Sequence, residues 1–159
     1  MQAREDNNLM LSETWLNPYA LYMTAGTGLV ITSVLDIKGK DIPLKIHAIL
    51  ASAQIIILAV TEDAYTITGR LLYAAAVFGI FFAGNLFFGL GGADTLAAAS
   101  SSIGIGAGGL IMAMAALILS LPYAICRKRK GKGEYPFIPF LLAGYIISII
   151  LTETKIIYI

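Results

Sequence analysis

The chain has 159 residues, 58% of them hydrophobic and only 13% charged, with a mean hydropathy of +0.80. That composition excludes an ordinary water-soluble fold, and a net charge of +1 excludes the basic field that holds nucleic acid. One cysteine, Cys126, cannot close an internal disulfide or supply a structural zinc site, so redox chemistry and metal binding are not expected, and no cofactor is called for.

In chain order, Met1 to Glu13 mixes Arg4 with Glu5, Asp6 and Glu13, which is not the lead of a cleavable signal peptide, and the first apolar stretch is expected to stay in the mature protein. A membrane-spanning helix needs roughly 20 apolar residues to cross about 30 Å of hydrocarbon. Leu16 to Leu35, Pro43 to Val60, Leu71 to Phe88 and Tyr135 to Leu151 approach that length, the last carrying Pro139 in its first turn, where a missing N–H is harmless. Thr95 to Ile125 is too long for one pass, about 46 Å as a single helix, and it is interrupted by Ser100-Ser-Ser-Ile-Gly-Ile-Gly-Ala-Gly-Gly109. Charge decides how it is divided. Eight of the eleven basic residues lie in two short loops, Lys38, Lys40 and Lys45 in one, and Arg127, Lys128, Arg129, Lys130 and Lys132 in the other. Both loops belong on the cytoplasmic side, which requires the chain to double back near Ser101 to Gly108. The expectation is an all-α bundle of about six transmembrane helices, the fourth short, forming one membrane domain over residues 1–159. Both termini and the acidic loop Thr61 to Gly69 then lie outside.

Carboxylates at a membrane edge are costly and call for a reason. Asp36 ends the first helix, and Asp94 opens the short fourth segment after Gly89-Leu-Gly-Gly-Ala93, so the six-segment topology puts both at the cytoplasmic edge. Two carboxylates at one depth can share a proton and polarise a water, one as general base and one as acid. The plainer alternative is that each caps a helix end, which suits Asp94 especially.

Three motifs bear on that choice. Asp36-Ile-Lys-Gly-Lys-Asp-Ile-Pro43 resembles the first-aspartate motif of the type IV prepilin and archaeal preflagellin peptidases, an Asp at a helix end followed seven residues later by Pro. Gly91-Gly-Ala-Asp94 resembles their Gly-x-Gly-Asp motif, with Ala93 at the third position. Pro136-Phe-Ile-Pro-Phe-Leu-Leu-Ala-Gly144 is similar to the segment that opens their last helix. The resemblance covers about Leu29 to Leu151. It implies a membrane aspartic endopeptidase that removes the leader of prepilin-like or preflagellin-like proteins, with Asp36 and Asp94 as the catalytic pair. It further implies that Gly91, Gly92 and Ala93 admit the scissile backbone, and that Pro43, Pro136 and Pro139 help shape the substrate groove. The chain lacks the cysteine-bearing insert of the bifunctional enzymes, so no N-methyltransferase activity is expected.

The remaining polar residues read as structural. Asp41 and Glu134 sit among lysines and are expected to be solvated. His47 has no second ligand at metal spacing and is expected to face the bundle interior. The pattern Gly104-Ile-Gly-Ala-Gly108 suits close helix packing or a turn, and Phe78, Phe81, Phe82, Phe87 and Phe88 suit the core or a lipid-facing surface. Two other readings remain open: a small transporter or channel using Asp36 and Asp94 as a proton or cation relay, and a catalytically silent protein that binds leaders.

Overall fold

Backbone polar groups in a hydrocarbon solvent must be satisfied within their own segment, which for apolar stretches of this length means helices. In the computed structural model there are six among the described residues: α1 (Gln2–Ile37), α2 (Leu44–Thr61), α3 (Ala64–Phe88), α4 (Gly92–Ile105), α5 (Gly108–Arg129) and α6 (Ile138–Glu153). The structure describes residues 2–39, 41–88, 91–129 and 136–154, with side chains from Tyr19 onward except at 87–88 and 127–129. Segments Tyr19–Ile37, Leu44–Thr61, Ala64–Leu86 and Gly108–Cys126 are long and apolar enough to cross a membrane, and α6 is apolar but shorter. This is an all-α membrane bundle.

The doubling back expected near Ser101 to Gly108 falls at Gly106-Ala107. Gly106 adopts φ 57°, a left-handed conformation in which glycine carries no Cβ penalty, and its N–H closes the last turn of α4 on the Ser102 carbonyl at 2.8 Å. With 14 residues α4 is about 21 Å long, short of a full crossing. It nevertheless packs against α1, α2, α3 and α5. Its composition permits this central place: Ala97, Ala98, Ser101, Ser102 and Gly104 are all buried, and small side chains let backbones approach. A Cβ on Gly104 would lie 3.1 Å from the Leu21 carbonyl oxygen of α1 and 2.7 Å from the Gln54 side chain of α2. The same logic joins α5 to α6, where a Cβ on Gly144 would collide with the Met112 carbonyl.

Several boundaries differ from expectation. Helix α1 extends back to Gln2 rather than starting at Leu16. Helix α3 starts at Ala64, because Asp63 caps it: one carboxylate oxygen accepts the Tyr65 N–H at 3.2 Å and the other the Thr66 N–H and hydroxyl at 3.3 and 2.5 Å. The expected loop Thr61 to Gly69 therefore shrinks to a short link, and Arg70 lies inside a helix. Helix α6 starts at Ile138, three residues late, with Pro139 in its first turn as expected.

Candidate active site

The helix order brings the end of α1 and the starts of α4 and α6 to one end of the bundle. Asp36 sits in the last turn of α1, half-buried, and its Oδ2 accepts the Ile138 N–H at 2.9 Å, across 102 positions of sequence. Ile138 is the first residue of α6, and its N–H has no intrahelical acceptor, whereas Pro139 has no N–H and the Phe140 N–H bonds the Phe137 carbonyl at 2.9 Å. The carboxylate therefore rests on that unmatched donor, at the positive end of the helix dipole. Pro136 precedes this turn and Pro139 lies within it, both half-buried, and Phe137 between them is buried against Phe81 with ring centroids 5.7 Å apart. The aromatic anchor fixes the turn that presents the donor to Asp36.

Asp94 is the third residue of α4 and is only 9% exposed. Its Oδ2 accepts the Gly91 N–H at 3.1 Å, so the carboxylate folds back on the turn that precedes its own helix. Gly91 is extended at φ −68° and needs no unusual conformation, but a Cβ there would lie 3.0 Å from that same oxygen. The glycine keeps room for the carboxylate. Gly92 and Ala93 lie in the first helical turn, so the methyl group of Ala93 fits the backbone without strain.

The two carboxyl groups are within electrostatic reach of each other. Each also caps a helix, so the plainer reading of these aspartates is geometrically correct for both. Capping alone does not account for their convergence, since two like charges brought together in a poorly hydrated place repel. Of the other expected site residues, Gly91 and Gly92 are exposed beside Asp94, and Pro43 is exposed as the N-cap of α2.

Asp41 is exposed, as expected of a solvated loop residue, while Glu134, Lys40, Lys130 and Lys132 lie outside the described residues. His47 is 4% exposed and faces the interior as expected, with neither ring nitrogen hydrogen-bonded among the described residues. The Gly104 to Gly108 segment serves both packing and turn: a Cβ on Gly108 would lie 2.7 Å from the Ser148 hydroxyl oxygen. Phe81 is core, Phe78 and Phe82 stack on an exposed face at 5.7 Å, and the side chains of Phe87 and Phe88 lie outside the described ones.

Two features escaped the sequence reading. Arg70, in the second turn of α3, donates from its guanidinium to the Gly104 carbonyl at 2.7 Å, capping the far end of the helix that carries Asp94. A lone cation just before an apolar run is the available signal, and it reads as a loop charge until Asp63 is known to start the helix. Gln54 is fully buried against Gly104, with both amide atoms unpaired among the described residues. What fold and site define together is an all-helical membrane protein with two convergent carboxylates at one end. The chain matches no family model, no curated protein and no solved structure.

Proposed function

We propose that this chain is a membrane aspartic endopeptidase of the prepilin and preflagellin peptidase type, cutting the leader of prepilin-like or preflagellin-like proteins at the cytoplasmic edge of the cell membrane. The observation that carries the proposal is that Asp36 and Asp94 lie at the same end of the bundle, each steadied by a backbone N–H and within electrostatic reach of one another. The three sequence motifs supply the reaction class.

With one proton shared by the pair, the ionised carboxylate takes a proton from a water while the protonated one hydrogen-bonds the scissile carbonyl oxygen. The water oxygen attacks the carbonyl carbon, and the proton moves to the oxygen to give a neutral diol. The first carboxyl then returns its proton to the amide nitrogen, the second recovers one from the diol, and the C–N bond breaks. The pair ends as it began, singly protonated. The two N–H donors hold the carboxyl groups in place, which matters because a misplacement of about 1 Å costs on the order of 100-fold in rate. Gly91, Gly92 and Ala93 offer a low rim beside Asp94 along which an extended peptide can approach. Pro43, Pro136 and Pro139 stiffen the neighbouring turns.

The test is co-expression with leader-bearing pilin or flagellin precursors, read by a size shift and by sequencing the mature N-terminus. Cleavage at one fixed bond next to the apolar segment is expected, and an intact leader with every precursor contradicts the proposal. Orientation has its own measurement. Cys126 is a free, exposed thiol at the basic end, and an impermeant maleimide is expected to label it only from the cytoplasmic side.

A further inference from the structure

A cavity of about 470 Å³ opens between α2, α3 and α4, within the range of roughly 300–1,000 Å³ typical of small-ligand sites. Its walls are almost wholly apolar and mostly small, with Ala48 and Ala51 from α2, Ala74 and Ala75 from α3, and Ala99 from α4. It is distinct from the carboxylate site. On α4 its lining residues are Leu96, Ala99, Ser100 and Ile103, which at 100° per residue average close to 180° from Asp94, so the cavity lies behind the helix whose front carries the carboxylate. It begins at Leu44, the first residue of α2, and reaches Ala51 about 10 Å deeper.

Two observations say what fills it. Leu44 at the rim is followed in α2 by the exposed Lys45. A lysine beside the mouth of an apolar slot complements an anionic head on a hydrocarbon tail. One turn below the rim, His47 lines the cavity with both nitrogens unpartnered among the described residues and its side chain 4% exposed. A buried imidazole retains hydrogen-bonding capacity at the depth where a lipid's ester carbonyl follows its phosphate. We propose that this groove is a binding site for one anionic phospholipid, its phosphate at Lys45, its ester region level with His47 and one acyl chain along the alanine wall.

The probe is phosphatidylglycerol with a diazirine in its acyl chain, in nanodiscs of phosphatidylcholine holding the full chain. Crosslinks are expected to concentrate on residues 48–51, 74–78 and 96–103. Ala48→Leu with Ala75→Leu fills the slot from two exposed wall positions, sparing the buried core, and circular dichroism checks the fold. Labelling at these residues is expected to fall about tenfold, as burial of two or more methylene groups is lost. Lys45→Glu is expected to remove the preference for phosphatidylglycerol over a phosphatidylcholine probe carrying the same diazirine. Labelling spread evenly over all exposed helix faces overturns the proposal, as does labelling that survives in the filled variant. Cleavage of a leader-bearing substrate lost in the filled variant with lipid labelling unchanged also overturns it, and assigns the groove to the substrate's apolar segment. Because this readout is lipid labelling, the site stands or falls separately from the peptidase reading.

Discussion

Helix α4 has a charged group at each end, and the two ends are built on opposite principles. At its C-terminus the Arg70 guanidinium meets the Gly104 carbonyl, a cation at the negative end of a helix dipole with a hydrogen bond to match. At its N-terminus Asp94 also matches the dipole, yet it is buried within reach of a second carboxylate that nothing in its own helix requires. One end is electrostatically satisfied and the other retains a conflict. Structural charges settle into the first arrangement, and the proposed peptidase uses the second, since a repulsion held in place by surrounding packing is relieved when the pair shares one proton.

The largest effect is expected where the conflict is removed. Asp36→Asn and Asp94→Asn each take away a proton-sharing partner while keeping shape and hydrogen-bonding capacity, so cleavage by either purified variant is expected to fall at least about 100-fold. Helicity and monodispersity should stay unchanged. The double variant is expected to lose no more than either single one, because the pair acts as a unit. Additive losses would instead mean two independent roles.

Next in size is Gly91→Ala. The new methyl group meets Asp94 Oδ2 at 3.0 Å and must displace it by a few tenths of an ångström. A roughly tenfold loss in kcat with little change in KM is expected, on the scale by which misplacement of about 1 Å costs 100-fold. An unchanged kcat would mean that Asp94's position is not catalytic. By contrast Ala93→Gly, in an unstrained helical turn, is expected to leave the rate alone.

At the satisfied end the expected effect is on stability. Arg70→Met leaves the Gly104 carbonyl without its charged donor, at a cost of about 1.5–3 kcal/mol. Faster amide exchange in the last turn of α4 is expected, and partial recovery with Arg70→Lys. Wild-type exchange in Arg70→Met would show that the cap does not hold the helix end.

The smallest effect concerns Asp63, whose carboxyl is held below its usual range first by the Thr66 hydroxyl and then by neighbouring backbone N–H groups. A folded-state value lower than the unfolded one stabilises above the ordinary Asp range near 4, and that contribution disappears as pH falls through the depressed value. Thermal unfolding of wild type should therefore converge on that of Asp63→Asn in acid and separate from it by a small margin at neutral pH. Equal midpoints at every pH would dismiss the cap.

The same comparison shows what was legible. The hairpin at Gly106 could be read because two basic loops must share a side and the one apolar stretch too long for a single pass is interrupted by serines and glycines, and Pro139 marked the start of α6. The carboxylate end was legible as a position, since Asp36 and Asp94 fall at helix ends that the charge pattern puts on one side. Its geometry was not. The bond from Ile138 to Asp36 joins residues 102 apart, and nothing local in either segment announces it. The satisfied end was missed, because Arg70 looks like a loop residue until the Asp63 cap moves the start of α3 back to Ala64. Gln54 was missed for a related reason, as one polar residue in an apolar run does not reveal which neighbours it meets.

The most direct measurement is leader cleavage and internal pH followed together in liposomes holding the purified protein, across the pH range. A pair that shares one proton works only when singly protonated, so a bell-shaped cleavage rate with no accompanying proton movement is the expected result. A proton flux that depends on Asp36 and Asp94, with the leader intact at every pH, would contradict it and make the two carboxylates a relay.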